Sequence, residues 1–296
     1  MPTVQFGNLY YMIYIFAAFI LIFISLRFLK YKSQKFRYWF LFGVLVLNFL
    51  IHIFKIFLPI YQDNVTYLIT KVSFENVCAV SAITFPFLYF VKNKTVKDYM
   101  IMVGIASGII TFIFPVDAMS TWFNGQDLGV YRHAFNIENI RFYFSHFLIF
   151  LVPFLMMHYN MHELSVRRAY KAPLFLIFIL IIIFINELII TLFGWVPKSE
   201  LFDPSKRNPS FIFGVRGDLS GLGTMLRVFV PGIFLVNPWF AGDAFMPVLW
   251  LVFPAIFYGG LIALTFMLIY DTEETLYFLK LKMRLAQPEE TEEVKR

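Results

Sequence analysis

Long apolar segments separated by short polar connections dominate the chain. Seven segments of roughly 20 residues stand out, at about 8–29, 37–60, 74–92, 98–115, 139–161, 172–194 and 247–270. A helix needs about 20 apolar residues to cross ~30 Å of hydrocarbon, because it rises ~1.5 Å per residue. The pattern therefore predicts an all-α fold, a polytopic membrane helix bundle with about seven transmembrane helices.

The connection between the sixth and seventh segments, about 195–246, is the longest. Its most apolar run, 228–236, is too short to span a bilayer and contains a Pro-Gly pair, so it predicts an interfacial or re-entrant piece. We therefore predict a seven-helix transmembrane domain over 1–270, including this long extracytoplasmic loop, and a charged cytoplasmic tail over 271–296.

Composition supports a membrane environment. Of 296 residues, 59% are hydrophobic and 15% charged, which would leave a soluble protein with a large exposed apolar surface. The net charge of +6 comes from basic residues in loops and the tail, so we expect membrane lipids as partners and no nucleic acid. The single cysteine, Cys78, excludes an internal disulfide, and no Cys/His run has zinc-ligand spacing. We expect no metal and no cofactor.

Loop charges predict the orientation. The first, third and fifth connections and the tail carry most of the basic residues, namely Lys30, Lys32, Lys35, Arg37, Lys92, Lys94, Lys97, Arg167, Arg168, Lys171, Lys280, Lys282 and Arg284. Cytoplasmic loops are enriched in Lys and Arg. We therefore predict a multi-pass protein of the cell membrane with its N-terminus outside and its C-terminus in the cytoplasm.

Polar side chains inside the apolar segments are the candidate functional groups, because they are costly in lipid and usually face a bundle interior or a cavity. Asn48, His52 and Lys55 recur at spacings of four and three on one face of the second helix. Polar groups at similar depth on three other helices are Glu75, Cys78, His146, Asn186 and Glu187. Their common depth predicts one outward-opening cavity, lined by Asn48, His52, Cys78, His146 and Glu187.

Most of these residues also have a structural interpretation. Lys55 could extend to the interface or form a buried ion pair with Glu187 or Glu75. Asn48 and Asn186 could simply join neighbouring helices by hydrogen bonds. A carboxylate such as Glu75 could also lie at the interface, near the positive end of its helix.

Cys78 and His146 together suggest a reaction that uses a cysteine nucleophile and a histidine base. A lone buried Cys is usually a small hydrophobe, whereas an intramembrane His has no partner by default. If Cys78 and His146 are close, the thiol could attack an acyl carbonyl while the imidazole takes its proton and later activates an acceptor hydroxyl. His133, His158 and His162 lie in loops or at helix ends, and we predict them to be interfacial and non-functional.

Three ordered motifs carry a resemblance to a known family. Asn76-Val77-Cys78 resembles an Asn-Pro-Cys at the start of a span, and Phe114-Pro115-Val116 matches a Phe-Pro-Val that closes the next one. Phe142-Tyr143-Phe144-Ser145-His146, followed by Phe150-Leu151-Val152-Pro153, resembles an aromatic pair, a His and a trailing Val-Pro. From Phe74 to Pro153 the chain thus resembles the bacterial YwaF-type and animal transmembrane protein 164 family of cysteine-dependent lipid acyltransferases.

The resemblance implies that Cys78 and His146 form the catalytic pair. The chain departs from the family pattern next to the thiol: Val77 replaces the Pro, Ala79 replaces a His that can follow the Cys, and Asn76 stands where bacterial members tend to have a His. The sequence around the thiol therefore departs from the family pattern at three positions, two before Cys78 and one after it.

The leading hypothesis is an enzyme that moves fatty acyl groups between (lyso)phospholipids through an acyl-thioester. The residues predicted to support the reaction or bind substrate are Asn48, His52, Lys55, Glu75, Asn76, Asn186 and Glu187. Glu187 would orient a His or pair with Lys55. The alternative is a non-enzymatic carrier or receptor, in which His52, Lys55 and Glu187 relay protons or bind a small ligand. A third possibility is a structural membrane subunit whose polar groups hold its helices together.

Overall fold

The chain folds into a bundle of α-helices. The computed structural model describes residues 2–123, 126–204, 206–207, 209–215, 220–239 and 244–286, of which 126, 220–222 and 281–286 are described as backbone only. The end of the predicted tail, 287–296, lies outside these residues.

The helices follow the predicted apolar segments. They are α1 (Leu9–Leu29), α2 (Gln34–Phe54), α3 (Pro59–Asn64), α4 (Ile69–Val72), α5 (Val77–Leu88), α6 (Lys94–Ile113), α7 (Val116–Met119), α8 (Ile137–His158), α9 (Val166–Ala169), α10 (Lys171–Leu192), α11 (Ser220–Arg227), α12 (Leu249–Tyr270) and α13 (Thr272–Ala286). Short 3₁₀ turns cover Lys55–Phe57, Lys198–Glu200, Pro209–Phe211 and Gly232–Leu235. Two short antiparallel strands, β1 (Trp122–Phe123) and β2 (Gln126–Asp127), form a hairpin.

Within the described ranges, six helices are long and apolar enough to cross a membrane. The predicted third span, 74–92, is different: its helix α5 has only 12 residues. At ~1.5 Å per residue it extends about 18 Å, less than the ~30 Å of hydrocarbon. It starts late because Asn76 is extended and its side chain caps the helix by accepting the Ala79 N–H at 2.8 Å.

Side-chain caps also begin the long helices sharply. Asn8 accepts the Tyr11 N–H at 2.9 Å before α1, and Asn136 accepts the Glu138 N–H at 2.7 Å before α8. These bonds satisfy amides that have no partner inside the helix. The two caps therefore define where α1 and α8 begin.

Helices α6 and α8 pack closely because two glycines face α8. A Cβ added at Gly104 would stand 2.9 Å from the carbonyl oxygen of Ile149. One added at Gly108 would stand 2.5 Å from the Cβ of Phe150 and 3.3 Å from the carbonyl oxygen of His146. The four-residue spacing of the glycines is typical of close helix contacts in membranes, and it brings the helix that carries His146 against α6.

Part of the long sixth connection packs into the bundle. Ile212 and Phe213 are fully buried, and the indole of Trp250 donates to the carbonyl of Phe211 at 3.0 Å. By contrast, the predicted interfacial or re-entrant run, 228–236, is mostly exposed. Ile212 and Phe213 are therefore part of the protein core, and from the run 228–236 Val230 is part of it too.

Candidate functional site

Cys78 lies at the start of α5, one residue after the first helical position. Its side chain is partly exposed and packs against the main hydrophobic core. The preceding amide, Val77 N–H, donates to the hydroxyl of Ser210 at 3.0 Å. The thiol is thus positioned by a capped helix end that the long connection also contacts.

His146 is held in a defined tautomer on α8. Its Nδ1 lies 2.7 Å from the carbonyl oxygen of Phe142, one helical turn earlier. A carbonyl oxygen can only accept a hydrogen bond, so Nδ1 carries the proton and Nε2 keeps its lone pair. The Phe142 ring packs against the imidazole at 4.5 Å between ring centroids. His146 therefore presents an unprotonated nitrogen that can act as a base.

Cys78 and His146 lie on neighbouring helices. Their helices, α5 and α8, pack against each other. The two residues that the motifs single out are therefore on adjacent helices of the bundle.

Lys55 forms a buried ion pair. Its Nζ lies 2.7 Å from Oε1 of Glu75, whose Oε2 accepts from Lys71 at 2.8 Å. Lys55 is 5% exposed, so its ammonium does not extend to the interface. Of the two predicted partners the structure selects Glu75, because the 3₁₀ turn at the end of α2 faces the segment before α5.

The predicted pairing of Glu187 with Lys55 or with a histidine is wrong. Glu187 is buried on α10 and pairs with Arg207 of the long connection, whose Nη1 also donates to the hydroxyl of Thr191 at 3.1 Å. The carboxylate is neutralised by a loop that folds back onto its helix. Hydropathy alone does not indicate that this loop is buried.

The asparagines have structural partners. Asn48 Oδ1 accepts from the hydroxyl of Ser145 at 2.7 Å, which joins α2 to α8. Asn186 Nδ2 donates to the hydroxyl of Ser73 at 3.2 Å, and Asn76 caps α5. Asn48 therefore joins two helices, as one of the two interpretations expects, whereas Asn186 joins α10 to the segment between α4 and α5.

His52 is buried, 4% exposed, on the face of α2 that carries Asn48. Its Nε2 has no hydrogen bond of normal geometry among the described residues, although the backbone of Val72 lies near the ring. The charges of Lys55, Glu75 and Arg141 act on it. His52 is thus a buried imidazole whose Nε2 has no hydrogen-bond partner among the described residues, and charged side chains surround it.

A second acidic group in this region is not predicted by the segment analysis. Arg141 binds both carboxylate oxygens of Glu138 at 2.6 Å, and the hydroxyl of Tyr61 donates to the same carboxylate at 2.8 Å. The i, i+3 spacing of Glu138 and Arg141 on one helix would have indicated the pair.

A further cluster of charged side chains lies near the start of α6. Asp98 accepts from His162 at 2.6 Å and from Nε of Arg168 at 2.6 Å. His162 lies in the connection after α8, is 8% exposed, and has its acidic partner on a neighbouring helix. Its location at the membrane interface stays a prediction. Across the described residues, no group of three or more His, Cys, Asp or Glu side chains could hold a metal ion.

Apolar helices of bilayer length, with polar groups buried among them, define a polytopic α-helical membrane protein. The family model of the TMEM164 family matches residues 4–214. This is more than half of the chain, so the chain belongs to the TMEM164 family and the resemblance read from its motifs is confirmed. No curated protein and no solved structure matches it.

Proposed function

We propose that this protein is a cysteine-dependent acyltransferase of the cell membrane that moves fatty acyl groups between phospholipids and lysophospholipids. The observation that carries the proposal is the His146 tautomer. The Phe142 carbonyl holds the proton on Nδ1 and leaves Nε2 as a base on the helix next to the only thiol. Family membership and the order of the motifs support the same pair.

In the first step, Nε2 of His146 takes the thiol proton of Cys78, and the sulfur attacks the ester carbonyl of a donor phospholipid. A carbon–sulfur bond forms and the ester carbon–oxygen bond breaks. The leaving lysophospholipid alkoxide receives the proton from the imidazolium. The product of this step is an acyl-thioester on Cys78.

In the second step, the hydroxyl of an acceptor lysophospholipid gives its proton to Nε2 and attacks the thioester carbonyl. The carbon–oxygen bond forms, the carbon–sulfur bond breaks, and the thiolate recovers its proton from the imidazolium. The residue Cys78 is partly exposed at the start of an apolar helix, which supports the approach of a lipid substrate from the bilayer. No water-soluble acyl carrier is required.

Radiolabelled acyl transfer tests the proposal. Purified protein incubated with an acyl-labelled phospholipid and a lysophospholipid should yield labelled acceptor, and the protein should carry a hydroxylamine-labile label that Cys78→Ala lacks. Cys78→Ser and His146→Ala should each reduce transfer by about two orders of magnitude or more. The double mutant should be scarcely worse, because residues that act as one unit are not additive.

His158→Ala is the matched control, since His158 lies on the same helix and its ring packs against Phe154 and Tyr159. It should transfer at the wild-type rate. Turnover without any thioester label would exclude the covalent mechanism, and independent multiplicative losses would indicate separate structural roles for the two residues.

The alternative of a non-enzymatic carrier or receptor relies on a relay of His52, Lys55 and Glu187. Lys55 is paired with Glu75, and Glu187 with Arg207, so the relay would have to break two buried ion pairs. This favours the enzyme. Saturable binding of a small ligand without any acyl transfer in the labelling experiment would favour the carrier or receptor.

A further inference from the structure

Both oxygens of each carboxylate near the start of α8, Glu75 and Glu138, are already bonded to cations. Glu75 is shared by Lys55 and Lys71. Both oxygens of Glu138 are occupied by Arg141, and one of them also accepts from Tyr61. These carboxylates therefore have little capacity left to neutralise another buried cation.

Arg132 is such a cation. It lies between α7 and α8, is 8% exposed, and its Nε is buried without a hydrogen-bond partner. Among the residues that the structure describes, the guanidinium has no ion pair, and its one ring contact is with Phe123, at 5.4 Å from the centroid. An unpaired buried charge is unfavourable, so this arrangement indicates a missing anionic partner.

The nearest carboxylates do not fill that role. Asp117 and Glu138 act on Arg132 only at a distance, because neither lies within ion-pair range of it. Glu138 is bonded to Arg141, and Asp117 is exposed, where solvent and salt screen its charge. Burial holds the pKa of the Arg132 guanidinium below its ordinary value, and the carboxylates oppose this only in part.

Arg132 belongs to a wider positive cluster. The Phe123 ring, which it contacts, packs edge-on against Tyr61 at 5.1 Å, and Arg141 lies 5.9 Å from the centroid of Tyr61. The two arginines thus contact adjacent rings of one aromatic pair. Across the cluster, the cations Lys55, Lys71, Arg132 and Arg141 outnumber the paired carboxylates Glu75 and Glu138, and still exceed the carboxylates by one when exposed Asp117 is counted.

We propose that this cluster binds a phosphate-class oxyanion, with Arg132 as its ligand. The planar guanidinium donates two parallel hydrogen bonds in the geometry of a phosphate. The anion comes from a phospholipid head group or from free phosphate, which share this chemistry. The site rests on the unpaired Arg132 and does not require the acyl transfer proposed above.

Calorimetric titration of the purified full-length chain in detergent tests the site. The two probes are inorganic phosphate and the soluble phosphodiester lipid dihexanoyl phosphatidylglycerol. Arg132→Gln should weaken binding by about ten-fold or more, because it removes charge-assisted hydrogen bonds. Arg132→Lys should retain part of the affinity, since lysine keeps the charge but lacks the planar fork.

Arg27→Gln is the matched control: it removes the same charge at an exposed position at the end of α1, and it should leave affinity unchanged. Binding of the lipid alone assigns the site to a head group, whereas binding of phosphate with similar affinity assigns it to the free anion. No saturable binding of either probe to wild type, or equal affinity in wild type and Arg132→Gln, would overturn the proposal.

The same titration in Cys78→Ala separates this site from the reaction. Binding should persist there at wild-type affinity even though the thiol is gone. If Cys78→Ala loses acyl transfer but still binds the anion, the result tests the acyltransferase proposal alone. If Arg132→Gln loses anion binding but keeps the thioester label, the result tests the anion site alone.

Discussion

At the scale of single residues, each buried carboxylate that the structure describes in the bundle has a cationic partner, and the partners of Asp98 and Glu187 come from another part of the chain. Glu187 on α10 is the clearest case, because Arg207 reaches it from the long connection and also bonds Thr191. A charge that has lost its partner in such surroundings is far more costly than the intact pair is stabilising. Replacing one member of such a pair should therefore destabilise the protein strongly, whereas replacing both members should destabilise it much less.

We expect Glu187→Gln and Arg207→Met each to lower the stability of the detergent-solubilised protein, by about 3–5 kcal/mol when one partner of a buried pair is left alone. The double variant should lose much less than the sum, because the two side chains are coupled. Thermal unfolding measures all three. Exposed Glu163→Gln is the control and should be neutral; additive losses would show that the pair is not coupled.

At the scale of helices, the position of α8 depends on how closely α6 approaches it. Gly104 and Gly108 lie one turn apart on the contact face, where carbonyl oxygens and Cβ atoms of α8 leave no space for a side chain. Backbone atoms cannot move aside as a flexible side chain can. The glycines therefore determine where His146 stands relative to α5.

Gly108→Ala should destabilise the protein by about 1–3 kcal/mol, the usual cost of overpacking, and should lower acyl transfer by displacing His146. Gly43→Ala is the matched control, because a Cβ at Gly43 on α2 meets nothing within 4 Å. It should be neutral or stabilising by up to ~1 kcal/mol, since alanine favours helix more than glycine. Equal effects of the two substitutions on melting temperature would contradict this packing argument.

At the scale of the molecule, the described connections separate into two ends. The first and fifth connections meet where Arg37 stacks over Tyr159 at 4.0 Å, and Asp98 ties the start of α6 to Arg168. At the other end, Thr3 pairs with His133 in an isolated bridge. The first and fifth connections thus lie at one end of the bundle, and the N-terminal segment and the fourth connection lie at the other. A polytopic bundle requires such an alternation of successive connections between its two ends. Which end is cytoplasmic remains a prediction from the loop charges.

That prediction places Lys32, Lys94 and Arg167 in the cytoplasm and Asn64, Asp127 and Asp203 outside. In a Cys78→Ala background, a membrane-impermeant maleimide should label Asp127→Cys in intact cells and Lys94→Cys only after permeabilisation. Both native side chains are exposed, so neither site is shielded by the protein. Labelling of Lys94→Cys in intact cells would reverse the orientation.

The sequence alone determined the membrane class, the family and most helix bounds. Apolar length is a local property, and a backbone in lipid must satisfy its hydrogen bonds within each segment, so the pattern predicts helices such as α1 and α10 closely. Caps such as Asn8 act over three residues and belong to the same local information. The motifs around Cys78 and His146 suffice to indicate the family.

Only the tertiary structure decided which polar groups meet. Depth in the bilayer follows from position along a helix, but rotation about the helix axis and the path of a long loop depend on contacts between distant residues. Lys55 therefore faces Glu75, while Glu187 is paired by Arg207 of the loop. For the same reason Arg132, a loop residue by sequence, is buried without an acidic partner among the described residues.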